Sequence, residues 1–226
     1  GIDVDPGRVV VTAGSSAAFV LGFLAAFDVG ARVALPSPGY PCYRHILRAL
    51  GCDTVGLETG PETRWMPTAA MIEEAAARGR LAGVLIASPN NPTGTMLEPG
   101  RLAEIAAVCR RLGLWLVSDE IYHGLTYEWQ ADTALRCSDD CIVINSFSKY
   151  FSMTGWRVGW MIGPLDVIKA AGNLQSHATS NVANVSQQAA LAAVAGDLSA
   201  VATMREAFDR RRLVIHRMLN DIDGVT

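Results

Sequence analysis

Polar residues of distinct chemistry sit directly behind short apolar runs. Gly14-Ser15-Ser16 follows RVVVTA, and Ser88-Pro89-Asn90-Asn91-Pro92-Thr93-Gly94 follows GVLIA. Asp119-Glu120-Ile121-Tyr122 follows LWLVS, and Ser146-Phe147-Ser148-Lys149 follows CIVIN, with Arg157 eight residues beyond the lysine. A glycine and two serines ahead of a helical run leave backbone N–H groups at a helix N-terminus, which favours a phosphate; an ordinary N-cap serine is the plain alternative. Ser146, Ser148 and Arg157 could bring hydroxyls and a guanidinium to the same anion. Arg157, between Trp156 and Val158, reads equally as half of a surface ion pair.

Lys149 is a candidate Schiff-base lysine, an amine that attacks a carbonyl carbon. Asp119 closes an apolar strand, where an unpaired carboxylate is costly, so it should face a cation. A protonated pyridine nitrogen would serve and would make such a ring an electron sink. An arginine partner or a turn cap is the alternative. Tyr122 and Asn91 could bind a hydroxyl on that ring, and Tyr40, in Ser37-Pro38-Gly39-Tyr40, could stack on its face. Aromatic packing and turn formation are their plain alternatives. Lysine is scarce: of 19 basic residues only Lys149 and Lys169 are Lys. Where arginine supplies the charge by default, a lysine is more often placed for its own chemistry, because arginine cannot form an imine. Lys169 has no motif around it and reads as a solvated helix residue. His123 matches no catalytic role, and Trp156 and Trp160 read as core packing.

These residues need a scaffold that brings strand ends together. Strand-like runs are expected at Arg8–Ala13, Arg32–Leu35, Thr54–Leu57, Gly83–Ala87, Leu114–Ser118, Cys141–Asn145 and Val158–Ile162. Between and after them lie helical stretches at Ser15–Phe27, Tyr40–Leu50, Thr68–Arg78, Pro99–Arg111, Leu165–Leu174, Val185–Ala195 and Ser199–Leu219. Short apolar strands separated by helices indicate an α/β fold with a mostly parallel sheet covered by helices on both faces. In such sheets ligands bind outside the carboxyl ends of the strands, where the polar motifs fall.

The chain has 226 residues, of which half are hydrophobic and 18% charged, so a sizeable core is expected. A net charge of -3 leaves no basic surplus for nucleic acid. The longest apolar run, Ala17–Phe27, is about half of the ~20 residues that span a bilayer, so no membrane role is expected. Five cysteines at irregular spacing describe neither a disulfide framework nor a metal site, and point to reduced thiols in a cytoplasmic protein.

Six motifs together carry a resemblance: VTAGSS at 11–16, SPGY at 37–40, SPNNPTG at 88–94, VSDEIY at 117–122, SFSKYFSMTGWRVGW at 146–160 and SHATSNVANVSQQAAL at 176–191. In order and spacing the chain resembles the fold-type I pyridoxal-phosphate enzymes of the aspartate-aminotransferase-like class I/II group. The resemblance implies pyridoxal 5'-phosphate as cofactor and Lys149 as the residue in Schiff-base linkage and the proton shuttle. It implies Asp119 against the pyridinium nitrogen, and Tyr122 with Asn91 on the phenolic oxygen. Gly14, Ser15, Ser16, Ser146, Ser148 and Arg157 fall to the phosphate, and Tyr40 to the ring-stacking place. The implied activity moves an amino group from an amino acid to a 2-oxo acid, in a homodimer.

The resemblance also implies parts that this sequence does not match: an N-terminal segment whose tyrosine reaches the partner subunit's phosphate, and a small domain whose arginine binds the substrate carboxylate. The expectation is a cofactor-binding large domain at 1–198 and a long helix at 199–226 leading towards a truncated small domain, a fragment prone to self-association. Rival readings are a β-lyase on the same fold and a pyridoxal-phosphate-sensing domain of a transcription regulator. No substrate is singled out.

Overall fold

The computed structural model describes residues 2–127 and 129–225. Among them seven strands form one sheet: β1 (Val9–Thr12), β2 (Arg32–Ser37), β3 (Asp53–Glu58), β4 (Gly83–Ala87), β5 (Trp115–Asp119), β6 (Ile142–Ser146) and β7 (Gly159–Ile162). Their order is β1-β7-β6-β5-β4-β2-β3. Neighbours from β3 to β6 pair in parallel, and β7 alone runs antiparallel, to both β6 and β1. The strands match the expected runs, and the sheet is mostly parallel as read. The reversal of β7 matters for the site. It brings the start of β7, and Arg157 just before it, to the same edge as the carboxyl ends of the other strands.

The helices are α1 (Gly14–Ala26), α2 (Pro41–Ala49), α3 (Ala69–Ala77), α4 (Arg101–Leu112), α5 (Leu165–Ala178), α6 (Asn184–Ala195) and α7 (Ser199–Asn220). They cover both faces, because every residue of β4 is buried and a central parallel strand has no solvated side. On one face α1, α2 and α5 pack in a cluster that includes Phe19, Phe23, Leu47, Ile142, Ile144 and Met161. On the other, α3 and α4 lay Ile72, Leu102, Ile105 and Cys109 over Val84, Ile86 and Val143.

Helix α1 runs against β6, β7 and β1 and is apolar over most of its surface. Phe23, 1% exposed, sits between Phe19 and Phe27 with ring centroids 5.8 and 5.9 Å away. At its N-terminus Gly14 has φ +79°, in the left-handed region that favours glycine. Gly159 of β7 passes so close that an added Cβ would lie 2.8 Å from the Gly14 carbonyl carbon and the Ser15 nitrogen. The two glycines together seat the start of α1 on the sheet edge.

A third cluster, of Phe147, Val158, Val182 and Ala190, supports the turn after β6. Phe147 stacks on Phe151 at 5.1 Å and meets Trp160 edge-on at 5.2 Å. Trp160 therefore packs as expected. Trp156 does not: it is 44% exposed, because it lies in the turn that leads into β7 and outside the layers. Lys169 is exposed on α5, as read from the sequence.

Candidate active site

The strand ends converge on a cavity of about 190 Å³ lined by residues that include Ser15, Ser16, Tyr40, Asn91, Asp119, Tyr122, Ser148, Lys149 and Arg157. Nine of the residues singled out from sequence thus meet in one hollow. Gly14 and Ser146 stand just behind it. Gly14 lies against Arg157, since an added Cβ there would run into the guanidinium. The Ser146 hydroxyl accepts the Ser148 N–H at 3.1 Å and so shapes the turn that presents Ser148.

The anion end is built from α1 and Arg157. The cap residue of α1 is Ala13, and no side chain caps the helix, so Ser15 and Ser16 lie inside its first turn and are not N-caps. Unbonded N–H groups and the positive helix end remain free for a phosphate. Arg157 is exposed, with φ +53°, and its Nη1 donates to the Thr154 carbonyl at 2.9 Å. Among the described residues it has no carboxylate partner, which sets aside the surface ion pair.

Asp119 forms the opposite end. It is 4% exposed, and its Oδ1 accepts the Ile121 N–H at 2.9 Å. Its Oδ2 accepts a short hydrogen bond from the Tyr43 hydroxyl. No cation reaches it among the described residues, and burial raises its pKa from 3.8 to about 6, against the pull of the Tyr43 and Ile121 hydrogen bonds. Burial, and then the Asp119 charge, push the Tyr43 phenol upward, so Tyr43 stays a donor. Tyr43 does not stand out in the sequence. Its only signal there is the Tyr40-Pro41-Cys42-Tyr43 spacing: Tyr40 precedes α2 and Tyr43 lies one turn on, so both rings face the hollow, 5.4 Å apart and edge to face. Tyr40 itself is 42% exposed at the mouth.

Between the two ends stand Tyr122 and Asn91. Burial and the Asp119 charge raise the Tyr122 phenol, and a hydrogen bond with the Asn91 side chain works the other way. The Asn91 loop is closed on itself: Asn90 N–H donates to Thr95 O and Gly94 N–H to Asn90 O, both at 2.9 Å. Lys149 is exposed at the rim, in a turn held by Ser152 N–H to Lys149 O at 3.0 Å and Met153 N–H to Phe147 O at 3.1 Å.

A helix N-terminus beside Arg157, a buried carboxylate without a cation among the described residues and a lysine at the rim thus share one hollow at the edge of an open α/β sheet. The family model "Aminotransferase class I and II" matches residues 1–226, and the chain belongs to this family. It is 48% identical to a valine–pyruvate aminotransferase of Mycobacterium tuberculosis, over 89% of this chain and 52% of that protein. It is 46% identical to an aspartate aminotransferase of Streptomyces avermitilis, over 100% of this chain and 56% of that protein. The structure of Thermus thermophilus aspartate aminotransferase with maleate superposes with a TM-score of 0.94 at 33% identity, covering 98% of this chain and 59% of that one. The chain thus spans little more than half the length of these relatives. Members of this family use pyridoxal 5'-phosphate. The uncapped start of α1, the glycine cradle beside Arg157 and the cation-free Asp119 fit that cofactor.

Proposed function

We propose that this chain forms the cofactor-binding body of a transaminase that moves an amino group from an amino acid to a 2-oxo acid, with pyridoxal 5'-phosphate joined to Lys149. One observation carries the reading. Of the chain's two lysines, Lys149 lines the cavity that has Arg157 at one end and Asp119 at the other, while Lys169 lies exposed on α5.

When bound, the cofactor supplies an aldehyde that captures an amino group and a ring that takes up the electron pair left at the substrate Cα. The protein's own residues do the rest. Ser15, Ser16, Ser148, Arg157 and the α1 N–H groups bind the phosphate, with Gly14 and Ser146 shaping the cradle. Asp119, its two oxygens steadied by Tyr43 and Ile121, holds a proton on the ring nitrogen. Tyr122 and Asn91 hold the phenolic oxygen, and Tyr40 covers the ring face. Lys149, the amine that lines the cavity, would carry a proton between the substrate Cα and the cofactor's aldehyde carbon.

In this reading 1–198 is the large domain and 199–226 leads towards a small domain. The relatives' names support transamination of an amino acid, and their greater length supports further segments in the working enzyme. The working form is a homodimer in the cytoplasm. The five free cysteines agree with a reducing compartment, and no described helix is long and apolar enough to cross a membrane.

Borohydride reduction of the chain loaded with pyridoxal 5'-phosphate, followed by peptide mass mapping, is expected to place the label on Lys149. A label on Lys169, or none, overturns the proposal. Conversion to pyridoxamine phosphate with an amino donor alone is the expected outcome for a transaminase; elimination products without it would indicate a β-lyase.

A further inference from the structure

His123 follows the proposed phenolic-oxygen ligand Tyr122 and has no part in the chemistry above. Its ring sits between two groups that can only accept. Nδ1 is 3.3 Å from Glu120 Oε2, and Nε2 is 3.0 Å from the backbone carbonyl of Ser88. The other Glu120 oxygen, Oε1, is already occupied: it accepts from Ser118 Oγ at 3.1 Å and from the Ala134 N–H at 2.9 Å. Oε2 faces His123, and the Thr133 side chain also bonds to this carboxyl group. The two contacts join different loops. Glu120 and His123 belong to the turn that carries Tyr122, and Ser88 opens the loop that carries Asn91. Ser88 also closes that loop, its Oγ accepting the Leu97 N–H at 3.0 Å.

We infer that His123 is a positioning residue: with one proton shared between Nδ1 and Glu120 and another given from Nε2 to Ser88, it ties the Tyr122 turn to the Asn91 loop. What those loops grip, the cofactor's phenolic oxygen, rests on the function proposed above; the tie itself does not. Two acceptors need two protons. When the shared proton is lost as pH rises, either the ring's bare Nδ1 faces the carboxylate or its bare Nε2 faces the carbonyl, and one half of the tie is repulsive. The clamp therefore closes on the acid side and loosens on the alkaline side.

Burial of Glu120 favours keeping that proton within the pair, and the carboxyl is raised accordingly. The charged and titratable groups around the pair are few. Asp119 neighbours Glu120 at the end of β5, and the Cys137 and Cys141 thiols lie behind it, Cys141 being pushed up to about 12 by burial. On the other side His123 opens into a surface hollow of about 360 Å³ whose charged residues are Glu98, Asp132 and Arg136. Arg136 is paired with Asp132 at 3.4 Å and Glu98 with Arg64 at 3.3 Å. Through this hollow the ring exchanges protons with solvent without passing the cofactor site.

Two substitutions act in opposite directions. Glu120→Gln keeps an acceptor for Ser118 and Ala134 and turns the other arm into a donor for a neutral ring, so the clamp stays closed on the alkaline side as well. His123→Phe keeps the ring volume and removes both bonds, so it stays open.

The test follows backbone amides 90–95 and 121–125, and the His123 ring, by NMR in the cofactor-free chain between roughly pH 6 and pH 9. In the wild type both amide groups are expected to titrate with the ring. Glu120→Gln should abolish the alkaline shift of the amides, and His123→Phe should hold the amides at their alkaline positions. Affinity for pyridoxal 5'-phosphate should fall about fivefold across the titration in the wild type, the size of one hydrogen bond, and stay flat in Glu120→Gln. Amides blind to the ring's titration, or a Glu120→Gln profile like the wild type's, would overturn the inference. If His123→Phe fails to fold, the comparison of wild type with Glu120→Gln decides alone. Coupled amides in a chain that never binds the cofactor would support the clamp and refute the function proposed for the site.

Discussion

Asp119 is a buried carboxyl group with no cation beside it among the described residues. Its carboxylate is buried, accepts two hydrogen bonds and still has its pKa lifted to about 6, because dehydration outweighs them. The folded protein therefore binds more protons here than the unfolded chain between about pH 4 and pH 6, and stability from this group falls as pH rises through that window. Above it the loss is about 2–3 kcal/mol, because each tenfold change in proton affinity between the folded and unfolded chain is worth ~1.36 kcal/mol. Asp119→Asn keeps an acceptor for the Ile121 N–H, can donate its amide N–H to the Tyr43 hydroxyl oxygen, and cannot ionise. The cofactor-free variant should match the wild type near pH 4 and exceed its stability by that amount at pH 7, while binding pyridoxal 5'-phosphate more weakly. Denaturant melts across pH, paired with a binding titration, check both signs. A wild type that gains stability relative to the variant as pH rises would mean that a cation already faces Asp119.

At the scale of elements, the site depends on how closely β7 and α1 approach. Gly159 leaves no room for a side chain against the Gly14–Ser15 backbone, and Gly14 none against Arg157. Gly159→Ala should therefore push the start of α1 off the sheet edge. Overpacking of this kind costs about 1–3 kcal/mol, and the phosphate cradle moves with it. The expected signature is a lowered midpoint together with weakened binding of inorganic phosphate, measured by calorimetry on the cofactor-free chain. Lost stability with phosphate affinity unchanged would place the anion away from this turn. The same antiparallel β7 explains why Arg157 joins the serines. A parallel seventh strand would have carried it to the opposite edge of the sheet.

At the scale of the whole molecule, one end of the chain is under-packed. As far as Arg212, α7 is fastened to the body: Val201 is buried, the Ser152 hydroxyl meets the Met204 sulfur at 3.4 Å, and Arg212 lies 4.4 Å over the Tyr127 ring. Beyond it Leu213, Ile215, Met218 and Leu219 are about half exposed or more, and Val185, Leu191 and Val194 of α6 are likewise bare. Exposed apolar side chains in this number favour association. Sedimentation should show the 226-residue chain associating as concentration rises. Ile215→Glu with Met218→Glu, one turn apart, should shift it towards the monomer. A chain monomeric at all concentrations would show that these side chains find cover within the molecule.

The kinds of chemistry available, the alternation of strand and helix, and the assignment of each motif to a strand end were readable from residue types and spacing alone. Those properties are local: a Gly-Ser-Ser ahead of an apolar helix or a lysine behind a strand keeps its meaning in any tertiary context. Three features were not local. The Tyr43 bond to Asp119 joins residues 76 apart, and no pattern within α2 announces it. The His123 bridge to Ser88 spans 35 residues, so a histidine without a motif acquired a role only when β4 and β5 came side by side. The exposure of Trp156 followed from the tight turn into β7, which overrides the tendency of a large aromatic to be buried. Side-chain type decides what a residue can do, and strand order decides which partner it meets.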